Sequence, residues 1–189
     1  MIRILIICGK TASGKNAVVN ELVKKHGYHQ VVTYATRPMR KGEKQDITYH
    51  FISDKEFKQK IEEGFFAEYK SYNTEFGVWY YGTALEDLKN ADDKSVIVLT
   101  PAGYRDVRSE LHNENITCIY LYANNATLKK RLVKRGDDPK EADRRLAHDA
   151  KDFKNFEYEA DRVVYNNYDE KLDDVLDKIL NVVKRKKEK

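Results

Sequence analysis

The chain has 189 residues, of which 41% are hydrophobic and 35% are charged, and its formal net charge is +4. This length suits one α/β core with small insertions. We expect a cytoplasmic protein without a membrane partner, because no apolar stretch approaches the roughly 20 residues of a membrane span and no signal-peptide pattern follows Met1.

The net charge and the two cysteines argue against nucleic-acid binding and against a redox or zinc site. Nucleic acid is not an expected partner, because the net charge is modest and part of it lies in Lys184–Lys189, predicted to be a solvated tail after the last helix. Cys8 and Cys118 lie in apolar runs, which predicts two core residues rather than a redox pair or a zinc site.

Residues 9–16 contain the first predicted functional element. The sequence Gly-Lys-Thr-Ala-Ser-Gly-Lys-Asn follows the apolar run Ile2–Cys8 and precedes a helical stretch. A glycine, four residues and then Gly-Lys predict a loop whose backbone N–H groups surround a nucleoside triphosphate. A glycine-rich turn between a strand and a helix is the structural alternative. The predicted ligand-binding residues are Gly9, Lys10, Thr11, Ala12, Ser13, Gly14, Lys15 and Asn16.

Two of these residues have specific predicted roles. Lys15 is expected to reach the outer phosphates. Asn16 stands where this pattern usually has a Ser or Thr that binds Mg²⁺, and its amide oxygen is predicted to be a metal ligand.

The region from about Val31 to Thr83 is predicted to be an inserted small sheet. It is rich in tyrosine and has short strand patterns, with one short helix near Lys55–Glu63. The predicted strands are Thr48–Phe51, Phe66–Tyr72 and Val78–Tyr81.

A phosphate clamp is predicted within the same insertion. Arg37 and Arg40 lie three residues apart beside a turn, and guanidinium groups match phosphate oxygens in bidentate fashion. The hydroxyls of Tyr49 and Tyr81 could complete the clamp.

The rest of the chain is predicted to complete a three-layer α/β core with a parallel sheet. Runs rich in β-branched residues recur at Ser95–Leu99, Ile116–Tyr122 and Arg162–Tyr165, separated by amphipathic helical segments. The segment from Arg131 to Arg145 is dense in charge and holds Gly136 and Pro139 between two helices, which predicts a mobile surface element.

In their order along the chain, these motifs resemble those of the guanylate kinase family. Family members carry an N-terminal phosphate loop, Thr-Arg-x-x-Arg-x-Gly-Glu, Tyr-x-Phe, Glu-aromatic and Tyr-Tyr-Gly-Thr/Ser. After the loop, the corresponding segments here are Thr36–Glu43, Tyr49–Phe51, Glu68–Tyr69, Tyr80–Thr83, Arg131–Leu132, Arg135–Gly136, Arg145–Leu146 and Val163–Asn166. The resemblance therefore covers nearly the whole chain.

This resemblance implies an ATP-dependent transfer of the γ-phosphoryl group to GMP, with Mg²⁺ as the cofactor of ATP. Residues 1–32 and 84–189 would form the P-loop core, with a helical lid at about 131–145, and residues 33–83 the nucleoside monophosphate-binding insertion. Guanine offers two adjacent donors that a carboxylate accepts in parallel, so Glu68 is predicted to read the base. The implied GMP-binding residues are Thr33, Arg37, Arg40, Tyr49, Glu68, Tyr81, Thr83 and Thr100.

The resemblance also implies a catalytic set, namely Lys15, Arg37, Arg131, Arg135 and Arg145. The last three would close over the triphosphate and exclude water. Asn166 would sit near the adenine. We expect a monomer or a weak homodimer.

Five departures from the family pattern leave other readings open. They are Ala12 and Asp46 at glycine positions, Asn16 in place of the hydroxyl residue, a short insertion at Asn73–Phe76, and Thr100 in place of an aspartate. One alternative is a guanylate-kinase-like module with weak or no activity that binds a nucleotide or a phosphorylated partner. Another is a kinase for dGMP or a different phosphorylated acceptor.

Overall fold

The computed structural model describes residues 4–40, 42–111 and 116–187. It contains nine strands, seven α-helices and one 3₁₀ helix (Phe156–Tyr158) within those ranges. In chain order they are β1 (Ile4–Cys8), α1 (Lys15–His26), β2 (His29–Gln30), β3 (Tyr34–Ala35), β4 (His50–Phe51), α2 (Asp54–Glu62), β5 (Phe66–Thr74), β6 (Gly77–Ala84), α3 (Leu85–Lys89), β7 (Ser95–Leu99), α4 (Pro101–Glu110), β8 (Ile116–Tyr122), α5 (Asn125–Arg135), α6 (Pro139–Asp152), β9 (Arg162–Tyr165) and α7 (Leu172–Lys187).

Five strands form a parallel sheet in the order β2-β7-β1-β8-β9. The central strand β1 pairs with β7 on one side and β8 on the other, with Leu5 opposite Val96 and Thr117. All five residues of β1 are buried. A strand covered on both faces reads as a continuous apolar run, which is why the sequence predicted this sheet.

Alternate residues of β1 enter two separate cores, one on each face of the sheet. Ile4, Ile6 and Cys8 pack in the core that contains Val107 of α4, and Leu5 and Ile7 pack in the core that contains α1 and α7. This confirms the three-layer α/β core. Cys8 and Cys118 are both fully buried in the first of these cores, as predicted.

A second, mixed sheet has the strand order β4-β3-β6-β5. Strand β3 is parallel to β4 and antiparallel to β6. Phe57 of α2 is fully buried and stacks on Phe66 with ring centroids 4.3 Å apart. These aromatic contacts fix the helix on the small sheet, so that the insertion has its own apolar centre.

Some sequence-predicted bounds are wrong. Thr48–Phe51 shortens to His50–Phe51, because the Thr48 N–H donates to Lys44 in a turn. The strands β2 and β3 had no counterpart in the prediction, and β5 and β6 are longer than predicted. The positions Asn73–Phe76 lie at the tip of the β5–β6 hairpin.

The predicted solvated tail is also wrong for most of its length, because α7 continues through Lys187. Lys186 Nζ pairs with Asp161 at 2.6 Å. Residues 188–189 lie outside the described residues, as do Met1 to Arg3, where the first predicted strand began. None of the helices in the described ranges has the length and apolar character needed to cross a bilayer.

Candidate active site

A cavity of about 300 Å³ lies between the two sheets, next to the carboxyl ends of β1 and β7. Parallel α/β sheets bind their ligands at this edge. Residues from five parts of the chain converge there. Its wall includes Gly9, Thr11, Lys15, Thr33, Arg37, Arg40, Tyr49, Glu68, Tyr72, Trp79, Tyr81, Thr100, Arg145, His148, Asp149 and Asp152.

The loop after β1 has the tight geometry that its sequence predicted. A Cβ atom on Gly9 would lie 2.5 Å from Ser13 Oγ and 2.6 Å from Leu121 O, so only glycine fits there. Gly14 has φ +99° immediately before α1. Ala12, at a family glycine position, also has a positive φ of 58° and therefore carries backbone strain.

Lys15 is anchored by the loop itself. Its Nζ donates to the carbonyl oxygens of Gly9 at 2.6 Å and Lys10 at 2.9 Å. Burial lowers the pKa of Lys15 to about 8, although the carboxylate of Asp149 opposes this shift. Asn16, in contrast, is exposed on the first turn of α1 and lies outside the cavity wall.

The predicted clamp residue Arg37 already has an anionic partner. Its guanidinium donates to both carboxylate oxygens of Glu43 at 2.6 Å, and it lies over the rings of Tyr49 and Phe51. Only 4% of Arg37 is exposed. The motif containing both residues was identified in the sequence, but the ion pair between Arg37 and Glu43 was not predicted.

Positive charge nevertheless accumulates on the cavity wall. Arg40 from the insertion faces the cavity, and Arg145 approaches from α6. Burial lowers the pKa of Arg40, and the neighbouring Arg37 and Arg145 lower it further. Burial raises the pKa of Tyr49 and of Tyr81, and the positive charge of Arg37 opposes both shifts. Cations that repel one another around an empty space favour an anion there.

Glu68 is held at another part of the wall. It is 8% exposed, and the Thr83 hydroxyl donates to its Oε1 at 2.6 Å. Burial raises the pKa of Glu68, and the Thr83 hydrogen bond opposes the shift. A Cβ on Gly103 would lie 3.0 Å from Glu68 Oε2, so the glycine lets this carboxylate approach α4 closely.

Two threonines that are predicted to bind GMP use their hydroxyls within the protein. Thr83 is fully buried behind Glu68 and is absent from the cavity wall, so its hydroxyl reaches the carboxylate rather than the ligand space. Thr100 does line the cavity, but its hydroxyl accepts the N–H of Gly103 and caps α4. Thr33 lies on the cavity wall.

The three predicted lid arginines separate in space. Arg131 donates to the carbonyl oxygens of Ala12 at 3.3 Å and Ser13 at 3.1 Å, outside the cavity wall. Arg135 forms an ion pair with Asp137 at 2.5 Å and is also outside it. Only Arg145 among them reaches the cavity, where it pairs with Glu141.

Asn166 lies with Arg131 behind the loop. It is 6% exposed, and its Nδ2 donates to Ser13 O at 2.8 Å. Arg131 and Asn166 therefore hold the outer side of the phosphate loop, because each satisfies carbonyl groups that point away from the cavity.

Sequence reasoning missed Asp149 of α6. Its Oδ2 accepts the N–H of Thr11 in the phosphate loop at 2.5 Å. Burial raises its pKa, and the Thr11 hydrogen bond and Lys15 oppose that shift. Its spacing of four residues from Arg145 was the available signal, since it places both side chains on one helix face.

The β5–β6 hairpin also contributes aromatic side chains that were not predicted. The Tyr72 ring lies 5.7 Å from that of His148 on α6, and burial raises the pKa of Tyr72 to about 12. Trp79 lines the cavity and stacks on Phe76 at 6.2 Å. The hairpin therefore links the small sheet to the helix that carries Arg145.

Comparisons with known proteins identify the family of this chain. A family model described as Guanylate kinase matches residues 1–186. The chain is 34% identical to a guanylate kinase of Wolinella succinogenes over 170 residues, which are 86% of this chain and 76% of that protein. It is 29% identical to a guanylate kinase of Prochlorococcus marinus over 190 residues, 96% of this chain and 97% of that one.

Solved structures show the same fold. The crystal structure of guanylate kinase from Anaplasma phagocytophilum superposes with a TM-score of 0.71 at 24% identity, covering 100% of this chain and 87% of that one. A gluconokinase from Sinorhizobium meliloti superposes with a TM-score of 0.52 at 14% identity, covering 97% of this chain and 92% of that one.

Proposed function

This chain belongs to the guanylate kinase family, and we propose that the cavity between its phosphate loop and its small sheet is where it carries out ATP-dependent phosphorylation of GMP. One observation carries the assignment to this cavity. The loop with Lys15, the cationic wall with Arg40 and Arg145, and the buried carboxylate of Glu68 all face the same space. A donor triphosphate, an acceptor phosphate and a guanine base each find a matching group there.

Glu68 would recognise the guanine base. Its Oε1 accepts the Thr83 hydroxyl, which orients the carboxylate, and a second lone pair on Oε1 stays available to the ligand beside Oε2. The N1–H and N2–H₂ groups of guanine are adjacent donors that suit a carboxylate acceptor. Adenine lacks the 2-amino group, so AMP would leave this buried acceptor poorly paired. Thr83 thus acts as a positioning residue.

Arg40 and Arg145 would bind the acceptor phosphate together with Tyr49 and Tyr81. Both arginines line the cavity, whereas the fork of Arg37 is filled by Glu43. Arg37 would therefore act mainly by packing on the Tyr49 ring and by fixing, through Glu43, the turn with Arg40. The attacking atom of GMP is an ionised phosphate oxygen, so no general base is needed and catalysis depends on position and charge.

The phosphate loop would bind ATP through its N–H groups and Lys15. Arg131 and Asn166 would support this loop from behind, because they bind its outward carbonyl groups. Arg135 would remain on the lid surface with Asp137 unless the lid moves. Arg145 would then be the arginine that offsets charge developing on the transferred group.

Mg²⁺ is the usual metal of ATP-dependent kinases, and the loop suits it in one respect. The exposed amide oxygen of Asn16 is a hard ligand next to Lys15. Among the described residues there is no cluster of three or more His, Cys, Asp or Glu side chains fit to bind a metal. This fits Mg²⁺, which takes most of its ligands from phosphates and water. When bound, it would neutralise phosphate charge.

We also propose a division of the chain by role. Residues 33–83 would bind the acceptor, residues 1–32 and 84–189 would bind the donor, and a lid at about 131–145 would cover both. The small sheet lies within or next to the first of these ranges, and the phosphate loop lies within the second. This division places the two substrates on different structural units.

A coupled assay for ADP release tests the proposed acceptor. The protein is supplied with ATP and Mg²⁺ and with GMP, dGMP, AMP, UMP or CMP in parallel, while GMP binding is titrated by calorimetry. We expect rapid turnover with GMP and little with AMP, UMP or CMP. Tight GMP binding without ADP release would contradict the proposed donor site, and faster turnover with another nucleotide would contradict the proposed role of Glu68.

A further inference from the structure

The carboxylate of Asp149 contacts the phosphate loop, and the proposed function gives this residue no role. Asp149 belongs to α6, and its Oδ2 accepts the backbone N–H of Thr11 at 2.5 Å. Both residues line the cavity beside Lys15. The contact joins residues 138 positions apart in the sequence, so it depends on how α6 packs over the loop.

A carboxylate and a phosphate compete for the same kind of partner. Both are anions whose oxygens accept N–H donors, and hydrogen bonds to charged acceptors are stronger than those to neutral ones. The loop presents N–H groups and a lysine that bind an anion. Asp149 supplies such an anion from within the chain. Its charge opposes the lowering of the Lys15 pKa, as the charge of a bound phosphate would.

We propose that Asp149 sets the affinity for the donor, because its carboxylate occupies the Thr11 N–H and must be displaced by the triphosphate of ATP. This inference rests on the proposed function, since it takes the loop as the ATP site. Two anions cannot share one N–H donor, and a carboxylate left beside a triphosphate would repel it. ATP binding therefore includes the loss of an existing charge-assisted hydrogen bond.

The neighbouring residue Asp152 provides a matched control. It lies one turn further along α6 and also lines the cavity, so its removal changes the local charge by the same amount. Its carboxylate pairs with His148 at 3.0 Å instead of with the loop. A general charge effect would act through both aspartates, whereas displacement from Thr11 acts through Asp149 alone.

The test is the dissociation constant of Mg²⁺-ATP, measured by titration calorimetry without an acceptor. We expect Asp149→Asn to bind ATP about tenfold more tightly than the unmodified protein, which corresponds to about 1.4 kcal/mol. Asp152→Asn should change ATP affinity less than twofold, and the GMP affinity of both variants should stay within twofold. Asp149→Ala, which removes the hydrogen bond altogether, should tighten ATP binding at least as much.

Unchanged or weaker ATP binding by both Asp149 variants would overturn the proposal, since the carboxylate would then not compete with the donor. Equal tightening by Asp152→Asn would also overturn it in favour of a general charge effect. Thermal melting shows whether each variant is folded, and Asp149→Ala provides the measurement if Asp149→Asn is not. The readout is independent of GMP turnover, so a failure of the proposed acceptor would be seen separately in the coupled assay.

Discussion

Replacing Glu68 with Gln gives the sharpest test of base recognition. The amide oxygen of the new side chain can still accept the Thr83 hydroxyl, which lies 2.6 Å from Oε1. The amide NH₂ would then occupy the position of Oε2 and face the N–H donors of guanine. Two donors facing each other in a buried site leave both unpaired.

The expected magnitude follows from the loss of one bidentate base contact. Such a contact contributes about 1–3 kcal/mol of discrimination, so the dissociation constant of GMP should rise by a factor of about 5 to 150. IMP lacks the 2-amino group and keeps only the N1–H donor. The unmodified protein should therefore prefer GMP to IMP, and Glu68→Gln should lose most of that preference.

Titration calorimetry with GMP and IMP measures both effects. The matched control is Glu62→Gln, an exposed position on α2, which should change neither affinity by more than twofold. Folding should be preserved. Burial raises the pKa of Glu68, so ionisation of this carboxyl lowers the stability of the fold as the pH rises through that pKa, and a neutral amide avoids this loss. Unchanged GMP affinity in a folded Glu68→Gln protein would refute the assignment of Glu68 to the base.

Three further predictions concern the donor lysine and the aromatic core. Lys15→Ala should abolish ADP release while GMP binding by calorimetry stays within threefold, whereas Lys24→Ala, on the exposed side of α1, should retain turnover. ATP affinity of the unmodified protein should fall between pH 7 and pH 9, because Lys15 has a pKa of about 8 and loses its charge across this range. The ATP affinity of Lys15→Ala should not change with pH over the same range. An ATP affinity of the unmodified protein that does not change with pH would contradict the prediction. Phe57→Ala should lower the free energy of unfolding by about 3–5 kcal/mol in urea, because this ring is fully buried. Phe76→Ala, at an 80% exposed ring, should lower it by less than about 1 kcal/mol, and equal losses would show that the small sheet is not held by its aromatic core.

The long strands of the main sheet could be predicted from the sequence because burial on both faces requires continuous apolar runs. Ser95–Leu99 and Ile116–Tyr122 were predicted with their observed bounds. Strands β2 and β3 have two residues each, which is too short for any periodicity to appear. Their pairing depends on neighbouring strands that lie far away in the sequence.

The placement of candidate site residues could be predicted where those residues belong to a recognised motif. Lys15, Arg40 and Glu68 all line the cavity. Roles that depend on a distant partner were not predictable. The Arg131 side chain binds carbonyl groups 118 and 119 positions away, and Asp149 accepts the N–H of Thr11, 138 positions away. Helical spacing places such residues on a face but does not identify what that face meets.

The stacked rings of Phe76 and Trp79 at the β5–β6 hairpin allow ligand binding to be followed by tryptophan fluorescence. Trp79 is the single tryptophan of the chain, and it lines the cavity while stacking on Phe76. Apart from the emission of the 13 tyrosines, the intrinsic fluorescence of the unlabelled protein therefore comes from one indole at the cavity wall. Stopped-flow emission records can follow the arrival and departure of nucleotides there without an attached dye.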